Sequence, residues 1–126
     1  MGYDYDSDNI FAKILRGEIP NDTVLETAHS LAFNDIGPQA PVHVLVLPKG
    51  AYVTWDHFAA EASAEEVMDF TRAIHAVIEK LGLDPASGGG GYRLIMNTGP
   101  DGGQEVAHLH AHILGGKDIG KMVSDG

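Results

Sequence analysis

Between Val106 and Gly116 the chain reads Val-Ala-His-Leu-His-Ala-His-Ile-Leu-Gly-Gly, placing histidine at 108, 110 and 112. Side chains of an extended strand point to opposite faces in turn. The alternation therefore predicts a β-strand carrying all three imidazoles in a row on one face. Ala107, Leu109, Ala111 and Ile113 occupy the other face and can pack into a core. Three imidazoles at close range cannot all be charged together. A neutral imidazole is a nucleophile, a proton carrier or a metal ligand near neutral pH.

The rest of the chain must hold that strand. Its 126 residues fit one domain with one core, expected to fold from about 9 to 116 with a short tail at each end. A formal net charge of -10 argues against a nucleic-acid polymer as partner, because phosphate-backbone binding needs a basic surface. A small nucleotide is compatible with it, held by backbone amides and imidazoles. The absence of cysteine excludes disulfides, thiol catalysis and cysteine-ligated zinc. The opening Met1-Gly2-Tyr3-Asp4-Tyr5-Asp6 is acidic and lacks the plan of a signal peptide. No apolar run approaches the roughly 20 residues that span a membrane. No membrane association is expected, and the cytoplasm is the expected compartment.

Asp8 is a candidate N-cap for a helix over 9–16 that Gly17 ends, with Ile10, Phe11, Ile14 and Leu15 at helical spacing. Two short strands, 23–27 and 30–34, read as a hairpin, and Val42 to Leu47 as a strong strand closed by Pro48-Lys49-Gly50. Ser63 with Glu66 forms a capping box opening the main helix, which runs to about Leu81. Val67, Phe70, Ile74, Val77, Ile78 and Leu81 make its buried stripe, and Gly82 stops it. Ser87 to Gly91 reads as a flexible surface connector. A strand over 92–97 and a glycine-rich loop over 98–104 then lead into the histidine strand. This order predicts an α+β fold, an antiparallel sheet of about five strands with two helices.

In a row on one strand, the central imidazole is placed to attack a phosphorus centre, with neighbours that can donate to phosphate oxygens or a leaving group. A stack of structural histidines and a three-histidine zinc site are the alternatives. The preceding loop, Asn97-Thr98-Gly99-Pro100-Asp101-Gly102-Gly103-Gln104-Glu105, reads alone as a plain hairpin loop, but its glycines let backbone amides converge on an anion and it leads directly into the row. His43 lies within an apolar strand, as a core histidine or a fourth site member. Asp35 reads from composition as a turn residue. His29, His57 and His75 are assigned to the surface.

Together these residues resemble the histidine-triad nucleotide-binding (HIT) family, Hint branch, whose signature is His-φ-His-φ-His-φ-φ with φ apolar. His108 to Leu114 fits it at every position. The stretches 9–20, 33–43 and 101–106 resemble the family's N-terminal helix and turn, ribose-contacting segment and phosphate loop. The resemblance implies a small α+β fold that dimerises by joining two sheets edge to edge. It implies a hydrolase or transferase acting through a covalent nucleotidyl-histidine, with no cofactor or metal required. His110 would be the nucleophile, His108 and His112 its flanking partners, and His43 a fourth histidine near the phosphate. Asp35 would accept from the ribose hydroxyls, and Ile36 would lie against the base. Asn97 and the loop at Gly103, Gln104 and Glu105 would hold the α-phosphate.

The expected substrates are nucleoside 5′-phosphoramidates, adenylated amines or acyl adenylates, with a purine nucleotide (AMP, GMP or an adenylated small molecule) as partner. Dinucleotide polyphosphate hydrolysis, a nucleotide-binding adaptor with weak turnover and a zinc-binding protein are the other readings. Three features depart from the family pattern. Gly50-Ala51 stands where a further histidine is common, Glu105 stands where serine is common, and the C-terminal tail carries no aromatic residue.

Overall fold

The computed structural model of the chain describes residues 2–124; Met1, Asp125 and Gly126, parts of the expected tails, lie outside the described residues. The fold is α+β, as the sequence predicts. Its sheet joins β1 (Thr23–Glu26), β2 (Ser30–Asn34), β3 (Val42–Pro48), β4 (Tyr92–Ile95) and β5 (Ala111–Gly115) in the order β1-β2-β3-β5-β4. Every neighbouring pair is antiparallel.

Strand parity divides the core into two layers. Ala32, Val44, Val46, Ala111 and Ile113 share one face, which helix α3 (Ala64–Lys80) covers with Phe70, Ala73, Ile74, Val77 and Ile78. Each such large apolar side chain contributes roughly 1.5–3 kcal/mol by leaving water. Leu31, Phe33, Leu45 and Leu47 share the other face, under Phe11 and Ile14 of helix α1 (Ile10–Leu15). In the β3–β5 register Leu45 stands opposite His112 and His43 opposite Leu114, so both histidines belong to the α1 face.

The capping box of α3 forms in both directions, and Gly82 turns the chain away at φ +65°. At the two ends of the stripe Val67 is only half-buried and Leu81 is exposed. Four expectations change. The N-cap of α1 is Asn9, whose side chain accepts from the Ala12 N–H, and the Asp8 N–H instead turns to the Asp6 carboxylate.

There are four helices among the described residues rather than two, because α2 (Trp55–Glu61) and one short turn, α4 (Gly99–Gly102), also form. α2 is seven residues capped by Thr54, too short to show a periodic stripe. The glycine run is a built turn: a 3-10 turn over Pro85–Ser87, followed by N–H bonds from Gly88, Gly89 and Gly91 to the carbonyls of Pro85, Asp84 and Leu83. A Cβ on Gly89 would lie 2.3 Å from the Gly82 carbonyl oxygen and 2.5 Å from the Leu83 carbonyl carbon. Finally, the histidine segment joins the ladder only at Ala111; Ala107 is exposed, and 108–110 precede the strand.

Candidate active site

Three of the four site imidazoles take their orientation from main-chain atoms, and those atoms fix where each proton sits. His108 is completely buried. Its Nε2 lies 2.7 Å from the Pro48 carbonyl, which only accepts, so Nε2 carries the proton. Nδ1 is then an acceptor, and the Tyr5 hydroxyl donates to it at 2.5 Å. In His110, Nδ1 lies 2.7 Å from the His108 carbonyl and must donate to it. The lone pair of His110 is therefore on Nε2. Among the described residues no buried side-chain nitrogen or oxygen lacks a partner. Nε2 of His110 has none, so it opens to the surface, although the residue is only 7% exposed.

His43 is 3% exposed. Its Nδ1 accepts the Gln39 N–H at 3.0 Å, so its Nε2 carries the proton and donates to Nδ1 of His112 at 2.9 Å. That leaves the single ring proton of neutral His112 on Nε2. The rings of His110 and His112 are 4.9 Å apart, and Phe11 of α1 packs edge-on against His110, also at 4.9 Å. The result is a lone pair on His110 beside an N–H on His112.

Burial opposes charge on the three rings of the row, His108, His110 and His112. Desolvation lowers the pKa of His108 to about 4, against the opposing Pro48 hydrogen bond. Desolvation also lowers His112 to about 4, assisted by His110 and His43 and opposed by Asp35. His110 is lowered by burial as well, while its bond to the His108 carbonyl and the charges of Asp35 and Glu105 pull the other way. The same two carboxylates would stabilise positive charge on that ring once it formed a bond.

Asp35 does two things. One carboxylate oxygen accepts the Gly37 N–H at 2.8 Å, the turn role its composition predicts. The other lies 3.4 Å from Nε2 of His43, which ties Asp35 to the site. Ile36 beside it is 96% exposed, a bare apolar surface next to polar groups. Asn97 joins Gln39, His43, Ile95, His112 and Leu114 around a small cleft of about 110 Å³. A larger groove of about 690 Å³ lies by the C-terminal tail, lined in part by Tyr92, Arg93 and Lys117, and includes none of the histidines.

The glycine loop is arranged differently from the sequence expectation. The N–H groups of Gly103 and Gln104 are taken up by the carbonyls of Pro100 and Gly99. The Gln104 side chain donates to the carbonyls of Val53 and Val106 and accepts the Gly99 N–H, so it braces the loop. Glu105 is exposed, close enough for its charge to act on His110.

Side-chain atoms of Asp35, His43 and His112 lie within 4.8 Å of one another, a spacing that a divalent cation could bridge. The Gln39 N–H opposes ligation there, because it keeps the His43 proton on the nitrogen a metal would need. His57 is buried, in contrast to its expected surface role: Nδ1 accepts the Val53 N–H, and the ring stacks on Tyr3. Two features escaped the sequence reading, and both had a signal. One is α2, marked by Thr54 followed by Asp56. The other is the Tyr3-Asp4-Tyr5-Asp6 alternation, which turns its tyrosines inward.

Comparison with known proteins gives a consistent result. The HIT domain family model matches residues 16–119. An uncharacterised 13.2 kDa HIT-like protein of Azospirillum brasilense is 49% identical over 126 residues, covering 100% of both chains. The purine nucleoside phosphoramidase of Escherichia coli K12 is 43% identical over 117 residues, covering 93% of this chain and 94% of that one. Among solved structures, a HIT family hydrolase from Clostridium thermocellum superposes with a TM-score of 0.82 at 39% identity, covering 94% of this chain and 99% of the other.

Proposed function

The chain belongs to the HIT domain family, and on that premise we propose that it hydrolyses nucleoside 5′-phosphoramidates and related adenylates to AMP, through a nucleotide carried covalently on His110. The observation that carries this reading is the His110 ring itself. Its Nδ1–H is tied to the His108 carbonyl, and its Nε2 lone pair is left facing the opening. The printed activity of the Escherichia coli relative supports a P–N bond as the target.

In the first step Nε2 of His110 bonds to the α-phosphorus and the bond to the leaving nitrogen breaks. The leaving amine takes a proton from solvent. The ring becomes cationic, and its Nδ1–H bond to the His108 carbonyl strengthens as a charge-assisted hydrogen bond. In the second step water attacks phosphorus, the bond to His110 breaks, and AMP leaves while one proton returns to solvent. Splitting the displacement in two replaces one difficult step by two easier ones.

His112 donates from Nε2 to a phosphate oxygen. His43 fixes the His112 tautomer, and His108 acts through its carbonyl. Asp35 accepts from the ribose hydroxyls and Ile36 lies along the base. Asn97 and the Glu105 end of the loop hold the α-phosphate, while Gly103 and Gln104 shape that loop. The reaction needs no bound metal, and the active species is a homodimer.

The test is AMP release from a panel of an adenosine phosphoramidate, an adenylated amine, an acyl adenylate and a dinucleotide polyphosphate, with and without a chelator. Turnover of the P–N substrates, unchanged by chelation, is expected. His110→Ala should abolish it while still binding AMP, and rapid-quench mass spectrometry should place the nucleotidyl adduct on His110. AMP binding without release from any substrate would favour an adaptor. An adduct elsewhere, or activity restored only by zinc, would overturn the mechanism.

A further inference from the structure

Residues 2–6 precede every helix and strand, yet two of their side chains reach into the molecule. Tyr3 and Tyr5 are half-buried, while Asp4 and Asp6 between and after them face solvent. Tyr3 donates its hydroxyl to Asp56 in the first turn of α2 at 2.6 Å and stacks on the buried His57, with ring centroids 5.2 Å apart and 21° between planes. Tyr5 donates to Nδ1 of His108 at 2.5 Å, and its ring meets His108 edge-on at 5.5 Å.

We propose that Tyr5 is a positioning residue for the nucleophile, holding the His108 ring in a single orientation and so steadying the carbonyl that orients His110. The proposal rests on the reading of His110 as nucleophile. It follows from how little else holds His108. The residue lies before the β5 ladder, so no strand pairing fixes its peptide groups. The Leu109 N–H, in the same peptide group as the His108 carbonyl, is anchored to the Tyr52 carbonyl, and the ring is the other hold on this residue. The His108 ring is gripped at both ends, by Tyr5 at Nδ1 and by the Pro48 carbonyl at Nε2. With Tyr5 removed, a completely buried nitrogen is left without a partner. The Pro48 carbonyl still keeps the proton on Nε2, but the ring is then gripped at one end only and can tilt, which disturbs the peptide carrying the His108 carbonyl. The alignment of His110 depends on that carbonyl, because it alone holds the proton on Nδ1 and the lone pair on Nε2. Small errors in the placement of a reacting atom are costly in rate. Tyr3 secures the same segment at α2 without touching the histidine row, which makes it an internal control.

The experiment compares Tyr5→Phe and Tyr3→Phe with the unsubstituted protein, under conditions where circular dichroism shows each fully folded. Two readouts are taken: the ring-nitrogen NMR pattern of the histidines, and kcat and KM for AMP release. Tyr5→Phe should shift the Nδ1 signal of His108, alter and broaden the ring-nitrogen signals of His110, and lower kcat by about tenfold, with KM changed by less than about twofold. Tyr3→Phe should lower the melting temperature but keep both the NMR pattern and kcat. An unaltered His110 pattern in Tyr5→Phe overturns the proposal, and so does an equal loss of kcat in both variants. If the unsubstituted protein releases no AMP, the hydrolase reading fails. The NMR comparison still decides what Tyr5 does.

Discussion

His108 is buried and His112 half-buried, in forms that resist protonation, and this has a consequence for stability. Both move from an ordinary value of 6.5 to about 4. Between those values the unfolded chain binds protons that the folded chain refuses, so stability rises with pH across that window. It is fully present above about pH 6.5 and is lost as pH falls toward 4. For His108 alone the shift corresponds to roughly 3 kcal/mol. Denaturant titrations from pH 7.5 to 4 should show the unfolding free energy dropping steeply below 6.5. A flat profile between pH 7 and 5 would mean that the rings are solvated. The histidine alternation identified the three histidines of the row, while His43, Asp35 and Asn97 were assigned to the site only through the family resemblance. It could not show which nitrogen of each ring carries the proton, because that depends on the Pro48 carbonyl, 60 residues from His108, and on the local backbone path that turns the Gln39 N–H and the His108 carbonyl onto His43 and His110.

At the level of elements, the turn between α3 and β4 is where composition misleads most. Ser-Gly-Gly-Gly-Gly suggests a loose connector, but Gly89 is enclosed by the backbone of Gly82 and Leu83. Gly89→Ala should destabilise the protein by about 1–3 kcal/mol, the usual cost of forcing an atom into filled space. Gly90→Ala, where a Cβ meets nothing within 4 Å, should change little. Equal denaturation midpoints for the two would remove the distinction. Elements with a local signature were legible: the Ser63–Glu66 box, the α3 stripe and the β1–β2 hairpin. α2 offered only the cap signal of Thr54 and Asp56, since seven residues are too few for a periodic stripe, and Phe58 meets Tyr52 and Phe70 only in the folded chain. The loop before β5 was legible as a glycine turn. The inward bonding of its Gly103 and Gln104 amides was not, because it arises from how the α4 turn closes on itself.

Across the whole molecule, no helix among the described residues is long and apolar enough to cross a membrane. The sheet ends on one side at β4, which has a single neighbour and exposes Tyr92 and Leu94. An edge with unpaired backbone groups and apolar side chains is a template for another strand. Sedimentation at micromolar concentration is therefore expected to give twice the 13.4 kDa chain mass. Leu94→Lys should shift the species toward monomer, and a monomer before substitution would count against the pairing. On this same strand Arg93 grips the carbonyls of Gly120 and Lys121, so the tail is fastened beside the edge.

Because His108, His110 and His43 are oriented by Pro48 O, His108 O and Gln39 N, the protonation pattern is written in main-chain atoms that every amino acid supplies, proline at 39 excepted. Divergence can therefore exchange many neighbouring side chains and leave the chemistry intact. A one-residue insertion or deletion in β3 or before β5 cannot be absorbed in the same way, because it shifts the carbonyl and amide partners out of reach together. Lineages carrying this site should accumulate substitutions freely around the histidines, while gaps in their alignments fall elsewhere.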